Sequence, residues 1–159
     1  GLTPRDRFLY TTRLFHADAQ GLIPALLHHG ASCIITERFS ASRFWPIALK
    51  HEATCFLHVG TILAILNRGK KPPSGHKMRL GFGAGCSKRL WEQWTERTGI
   101  KLLEGFGMSE CLIGSFSSHD DIVPGSAGKP LPGIARADQA AWVGVASVLM
   151  NLDEFITKE

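Results

Sequence analysis

Short apolar runs rich in β-branched residues alternate with longer stretches of helical periodicity along the first hundred residues. Residues 8–12 form a typical strand run, and after them Leu22, Ile23, Leu26 and Leu27 recur at the spacing of one helix face. The same alternation continues to Glu104 and predicts five strands, over 8–12, 31–36, 53–59, 78–82 and 100–104, and four helices, over 17–29, 41–51, 62–67 and 88–98.

This alternation predicts the fold class. Strands joined through helices pair in parallel, and right-handed crossovers place the helices over both faces of the sheet. We therefore expect an α/β fold with layers, a mainly parallel sheet flanked by helices. Ligands of such sheets bind beyond the carboxyl ends of the strands, so the loops that follow strands are the candidate sites. Residues 70–77 combine basic residues with two prolines, a serine and a glycine, and this composition predicts an exposed loop.

Composition favours one globular unit and argues against nucleic-acid binding and a membrane span. A chain of 159 residues that is 44% hydrophobic is large enough to bury one core. The net charge of +4 comes from scattered residues, so nucleic acid is not a predicted partner. The four cysteines form no C-x-x-C pair, which favours free thiols in a reducing compartment and a cytoplasmic location. The apolar run over 140–152 is shorter than the ~20 residues that a membrane span requires.

The densest candidate chemistry follows the last predicted strand. Gly105 and Gly107 would let the backbone approach a ligand closely, and Phe106 offers a ring face to a purine. Ser109 offers a hydroxyl to a phosphate, and Glu110 offers a hard oxygen ligand to Mg²⁺. A tight turn with Phe106 in the core and Glu110 in solvent is the alternative, and composition alone favours that alternative.

A second glycine-rich segment follows the predicted strand over 78–82. Gly83, Ala84 and Gly85 lie just before Ser87, a plausible helix N-cap. They do not meet the G-x-G-x-x-G spacing of a dinucleotide fingerprint, and no acidic residue follows at the expected distance. A nicotinamide-dependent oxidoreductase is therefore the weaker alternative.

Four segments resemble motifs of the adenylate-forming superfamily and in particular of AMP-forming acyl-CoA synthetases. L-F-H-A-D-A-Q over 14–20 is similar to the P-L-F-H segment, with Arg13 replacing the proline, and looks closest to the carnitine and crotonobetaine CoA ligase branch. G-F-G-A-G-C-S over 81–87 resembles the strand end that lines the adenine pocket. G-S-A-G-K-P-L-P-G over 125–133 resembles the G-S-V-G-x-P-x-P-G loop. The fourth segment is similar to the Y-G-M-T-E signature and consists of Glu104, Gly105, Phe106, Gly107, Met108, Ser109 and Glu110.

The resemblance implies a reaction and its ligands. Members of the family activate a small-molecule carboxylate with ATP, hold it as an acyl-adenylate and transfer it to CoA. ATP or AMP, Mg²⁺ and CoA are therefore the implied cofactors and co-substrates. Residues 1–133 would form a partial AMP-binding domain, part of the large domain of an adenylate-forming enzyme, and residues 134–159 a divergent tail of uncertain structure.

The resemblance also implies residue roles. Gly83, Ala84 and Gly85 would form the adenine wall, and the segment from Glu104 to Ser109 would complete the nucleotide site, with Phe106 against adenine and Ser109 on the α-phosphate. Glu110 would hold Mg²⁺. His16 would border or gate the acyl pocket.

Two catalytic parts of the family have no match in this sequence: the phosphate loop with its lysine, and the small C-terminal domain with its catalytic lysine. We therefore expect a fragment with no complete set of catalytic residues and little ligase activity of its own. Uncovered sheet edges predict self-association. A non-catalytic remnant that binds a nucleotide or a partner is the alternative function.

Overall fold

The computed structural model describes residues 1–108, 113–118 and 120–131, and they form an α/β structure around one sheet. The elements alternate along the chain as the sequence predicts. In order they are β1 (Arg7–Tyr10), α1 (Ala17–His28), β2 (Ser32–Ile35), α2 (Ala41–Lys50), β3 (Cys55–Val59), α3 (Gly60–Arg68), β4 (Leu80–Ala84), α4 (Lys88–Thr98), β5 (Lys101–Phe106), β6 (Ser115–Phe116) and β7 (Lys129–Pro130).

The sheet is mainly parallel, which confirms the predicted fold class. Its strand order is β2-β1-β3-β4-β5-β6-β7. The first five strands in this order pair in parallel, and β6 and β7 continue the sheet in antiparallel pairs. The chain moves one way from β1 to β2 and then returns past β1 to β3. This reversal of direction places α1 on one face of the sheet and the next crossover helix, α2, on the other.

Two apolar clusters show which helices cover each face. Helix α1 packs through Leu22 and Leu26 onto the face that carries Phe8 and Leu57. Helices α2, α3 and α4 cover the opposite face, where Trp94 lies in the same cluster as buried residues of β1, β3 and β5. The predicted layered arrangement, with helices on both sides of the sheet, is therefore present.

The helix α4 has the boundaries that its capping residues predict. The Ser87 side chain accepts a hydrogen bond from the Leu90 amide at 3.4 Å, and Gly99 ends the helix in the left-handed conformation with φ of 69°. Helix α3 begins two residues earlier than predicted because β3 passes directly into it at Gly60.

Strand β5 is longer than the predicted strand over 100–104. It continues through Gly105 and Phe106 because both residues pair with β6, an element that the sequence did not predict. Strand β4 likewise extends to Ala84 through its pairing with β3. The two glycine-rich segments therefore begin inside the sheet, where strand pairing holds their backbone in place.

A buried carboxylate joins the amino ends of several strands. Asp6, which is 3% exposed, accepts hydrogen bonds from the Thr54 hydroxyl at 2.7 Å and from Nε of Arg79 at 3.1 Å. It also accepts two bonds from Thr3, through the backbone amide and the hydroxyl. Burial alone would raise the pKa of Asp6, but these hydrogen bonds, that from Arg79 foremost, outweigh it and hold the pKa below its usual value.

No helix within residues 1–108, 113–118 and 120–131 combines the length and apolar character that crossing a bilayer requires. The predicted tail over 134–159 lies outside the described residues.

Candidate functional site

The turn that follows β4 lies beside the end of β5. Gly83 pairs with Glu104 across the β4–β5 ladder and with His58 across the β3–β4 ladder. The segment from Gly83 to Cys86 consists of the last two residues of β4 and the two that follow, and is called the turn below. It therefore meets the beginning of the segment over 104–110 at the carboxyl edge of the sheet. The structure brings together the two segments that the sequence assigned to one nucleotide site.

Glycine is required at two positions in this region because other backbone atoms approach them closely. A Cβ atom at Gly83 would lie 1.8 Å from the carbonyl oxygen of His58, and one at Gly60 would lie 2.0 Å from the carbonyl oxygen of Gly85. Gly85 itself has φ of 76°, in the left-handed region. The turn is therefore in close backbone contact with the start of α3 at Gly85, and β4 is in close contact with β3 at Gly83.

The side chain of Glu104 connects β5 to this turn through a hydrogen bond. Its side chain is buried, with the residue 3% exposed, and its Oε2 atom accepts a hydrogen bond from the Cys86 amide at 3.1 Å. Burial raises the pKa of Glu104 to about 8, although the Cys86 amide opposes that shift. The carboxyl group is therefore largely protonated at pH 7. Its predicted role at a nucleotide stays a prediction.

His58 faces the same carboxyl group from β3, and sequence reasoning missed it. The residue is fully buried, and its Nε2 atom lies 3.5 Å from Oε1 of Glu104. Burial lowers the pKa of His58 to about 3, against a smaller opposing effect of the Leu103 backbone, so the ring is neutral at pH 7. The available signal was a histidine at an inward position of an otherwise apolar strand.

The loop that resembles the family's glycine and proline segment packs beside β6. The Ser115 hydroxyl donates to the carbonyl oxygen of Ala127 at 2.7 Å. A Cβ atom at Gly128 would lie 2.0 Å from the backbone of Phe116. The Phe116 ring in turn stacks on Phe82 of β4, with centroids 4.4 Å apart. This third segment is thereby held near the ends of β4 and β5.

The remaining residues of the signature segment reach the surface. Phe106 and Met108 are half-buried, and Gly107 is exposed. Ser109 and Glu110, the predicted phosphate and metal ligands, lie outside the described residues. Within the described ranges, no group of three or more histidine, cysteine, aspartate or glutamate side chains is placed to hold a metal ion. The magnesium site at Glu110 therefore stays a prediction.

His16 occupies the loop between β1 and α1. It is exposed, and its ring contacts that of Phe15 with centroids 4.5 Å apart. Asp18 fixes the start of the helix, because it accepts hydrogen bonds from the Tyr10 hydroxyl at 2.8 Å and from the Thr12 hydroxyl at 3.0 Å. His16 thus lies at the carboxyl edge of the sheet, but β3 separates β1 from β4 and the turn.

Comparisons with known proteins test the family resemblance that the sequence predicts. The profile of the AMP-binding enzyme family matches residues 1–137. The chain belongs to this family. It is 31% identical to an anthranilate CoA ligase solved in complex with anthranoyl-AMP, with a TM-score of 0.75, and covers 27% of that structure and 84% of this chain. A benzoate CoA ligase from Burkholderia xenovorans is 26% identical, with a TM-score of 0.76, over 84% of this chain and 29% of that one.

Curated relatives of this member of the AMP-binding enzyme family include proteins named for fatty acid transport. The human long-chain fatty acid transport protein 6 is 32% identical over 123 residues, which are 75% of this chain and 20% of that protein. A very long-chain fatty acid transport protein from Cochliobolus heterostrophus is 30% identical over 122 residues, 75% of this chain and 19% of that protein. The chain therefore spans about a fifth of the length of these relatives. The assignment to the carnitine and crotonobetaine branch stays a prediction.

Proposed function

We propose that this chain is part of an ATP-dependent acid–CoA ligase that activates a carboxylate as an acyl-adenylate and transfers the acyl group to CoA. The observation that carries the proposal is the contact between the turn after β4 and the end of β5, joined by the Glu104–Cys86 hydrogen bond. Both segments resemble nucleotide-binding motifs, and the structural relatives include ligases solved with an acyl-adenylate or AMP.

Each proposed role follows from the position of a residue. Gly83 to Gly85 lack bulky side chains at the surface of the turn, so a flat purine can lie against their backbone. Phe106, half-buried at the end of β5, would border the same ring. Ser109 and Glu110 follow directly, as the phosphate ligand and the Mg²⁺ ligand. His16 would border the acyl pocket from the end of β1.

The complete reaction is proposed for a longer protein. Attack by an anionic carboxylate on a phosphate requires fixed positive charge and in-line geometry. The family's phosphate loop and its C-terminal catalytic lysine have no counterpart in these 159 residues. We therefore expect the isolated chain to bind a nucleotide with little turnover. CoA and the carboxylate would be substrates of the longer protein.

The carboxylate itself is proposed only as a class. Relatives named for long-chain fatty acids, benzoate and anthranilate share the carboxyl group and differ in the apolar part. Residues 1–133 are proposed as part of an AMP-binding domain and 134–159 as a tail divergent in sequence, and a cytoplasmic location stays a prediction.

Calorimetric titration of the purified chain with AMP, with and without Mg²⁺, tests the proposal. Saturable binding of AMP in preference to NAD is the expected result, and an acyl-adenylate analogue should bind more tightly than AMP. Glu110→Ala should remove the Mg²⁺ dependence, whereas Glu92→Ala, on the exposed surface of α4, should leave it unchanged. A folded chain that binds neither nucleotide would refute the proposal.

The same titration separates the alternatives. Binding of AMP without release of AMP or pyrophosphate from ATP and any carboxylate would favour a non-catalytic nucleotide-binding remnant. Preference for NAD would favour the oxidoreductase alternative. Robust carboxylate-dependent release of AMP would show that the isolated chain is a complete catalyst.

A further inference from the structure

Two buried polar side chains face each other directly behind the proposed adenine wall. His58 on β3 is fully buried, and Glu104 on β5 is 3% exposed. Within the described part of the chain, neither ring nitrogen of His58 has the distance and angle of a hydrogen bond, although the Leu103 backbone lies near enough to oppose the lowering of its pKa; Oε1 of Glu104 has no hydrogen-bond partner either. The other oxygen, Oε2 of Glu104, accepts a hydrogen bond from the Cys86 amide at 3.1 Å.

Buried polar groups without hydrogen-bond partners destabilise the folded state. The two unsatisfied atoms that lie nearest to each other are Nε2 of His58 and Oε1 of Glu104, 3.5 Å apart. One proton between them satisfies both, because a protonated Oε1 donates and a neutral Nε2 accepts. A contraction of a few tenths of an ångström brings the pair to the usual hydrogen-bond distance.

We propose that His58 is a positioning residue of the nucleotide site: it accepts a hydrogen bond from Glu104 and so fixes the carboxyl group whose other oxygen holds the Cys86 amide. This proposal rests on the proposed function, since the turn is the proposed adenine wall. His58 does not reach the ligand surface itself. Its effect on the ligand passes through Glu104 and the turn.

A second contact leads from His58 to the same turn. The position of a Cβ atom on Gly83 lies 2.8 Å from Nδ1 of His58, so the imidazole ring packs directly against the glycine that begins the turn. The ring therefore supports the turn at both ends, through van der Waals contact at Gly83 and through Glu104 at Cys86. A displaced ring would move the backbone against which the purine is proposed to lie.

The protonation of the pair gives the proposal a spectroscopic signature. Three titratable groups meet here in the described structure: His58 from β3, Glu104 from β5 and the Cys86 thiol after β4. Burial raises the pKa of Cys86 and lowers that of His58, so Glu104 is the group whose charge changes in mildly alkaline solution. The ring nitrogens of His58 should report that change.

The binding test compares AMP affinity in three variants of the full chain. His58→Leu removes the acceptor and should weaken AMP binding about tenfold, the effect of losing one buried hydrogen bond. His58→Gln keeps a hydrogen-bonding group that can reach Glu104 and should recover most of the affinity. Thr54→Val removes a partly buried hydroxyl at the opposite edge of the sheet and should leave AMP affinity unchanged.

The spectroscopic test needs no ligand. In the wild-type chain with ¹⁵N-labelled histidine, the ring signals of His58 should move between about pH 7 and pH 9, as Glu104 ionises, and this movement should vanish in Glu104→Gln. His58 signals that do not respond to pH in the wild type would overturn the pairing, even where His58→Leu fails to fold.

The outcomes separate this proposal from the proposed function. Equal AMP binding by the wild type and a folded His58→Leu variant would overturn the positioning role and leave the nucleotide site in place. Absence of AMP binding in a folded wild-type chain would overturn both. Loss of affinity in His58→Leu together with recovery in His58→Gln is the expected result.

Discussion

Replacing Asp6 by asparagine should strongly destabilise the fold. The carboxylate is almost completely buried and accepts hydrogen bonds from Thr3, Thr54 and Arg79. Asparagine has nearly the same shape but carries one amide nitrogen that cannot accept, so donors now face a donor. The change therefore removes a charge and disrupts bonds while leaving the packing volume almost unaltered.

The expected magnitude follows from the exposure of the partners. Hydrogen bonds to a charged group are worth about 1.5–3 kcal/mol each, but Arg79 has a side chain that is 41% exposed, so its share is reduced by solvent. We expect Asp6→Asn to lower the free energy of unfolding by about 3 kcal/mol. Asp121→Asn, in which the lost partner Lys129 is 82% exposed, is the matched control and should cost about 0–1 kcal/mol.

Urea denaturation followed by circular dichroism measures both variants, and pH supplies a further check. The pKa of Asp6 is lowered in the folded state, so its stabilising effect is present above pH 3.8 and is lost as the pH falls further. The gap between the wild type and Asp6→Asn should therefore be full at pH 7 and narrow below about pH 4. Equal losses in the two variants at pH 7, or a gap that is constant down to pH 3, would refute the reasoning.

Three further predictions concern the site and its neighbours. Gly83→Ala should abolish AMP binding in calorimetry, because its Cβ would lie 1.8 Å from the His58 carbonyl oxygen, whereas Gly21→Ala, with only an ordinary contact at 3.5 Å, should keep binding intact. The raised pKa of Glu104 makes the wild type lose stability as the pH rises from about 5 to 8, by at most about 4 kcal/mol, and Glu104→Gln lacks this loss. The stability of Glu104→Gln relative to the wild type should therefore rise over this range in urea titrations, and parallel pH profiles would contradict this. Ser87→Ala should lower the free energy of unfolding by about 1 kcal/mol through loss of the N-cap of α4, and an unchanged urea midpoint would argue against that cap.

The sequence was most informative where one local rule determines the structure. Helix α4 has its predicted boundaries because Ser87 and Gly99 act on neighbouring backbone atoms. The alternation of strands and helices was also sufficient to predict a mainly parallel sheet with helices on both faces, since each crossover is local and right-handed.

The features that were not predicted depend on residues distant in sequence. Strand β6 has only Ser115 and Phe116, too few residues for a periodic signal, and it exists because β5 offers a free edge. The approach of His58 to Glu104 joins residues 46 positions apart through a register that neither strand encodes alone. The two glycine-rich segments could be recognised from the sequence by resemblance. The buried side chains that pack against them, His58 and Glu104, could be identified only from the structure.

The loop over 70–77 offers a practical attachment point on this molecule. It joins the end of α3 to the start of β4, so it lies at the amino edge of the sheet, whereas the proposed nucleotide site lies at the carboxyl edge. Among the residues that the structure describes, none places an atom within 4 Å of the position of a Cβ on Gly75, which leaves open space around the tip of the loop. A fluorophore or a surface tether placed at Ser74 would hold the chain with its candidate site facing away from the support, ready for single-molecule measurement of nucleotide exchange.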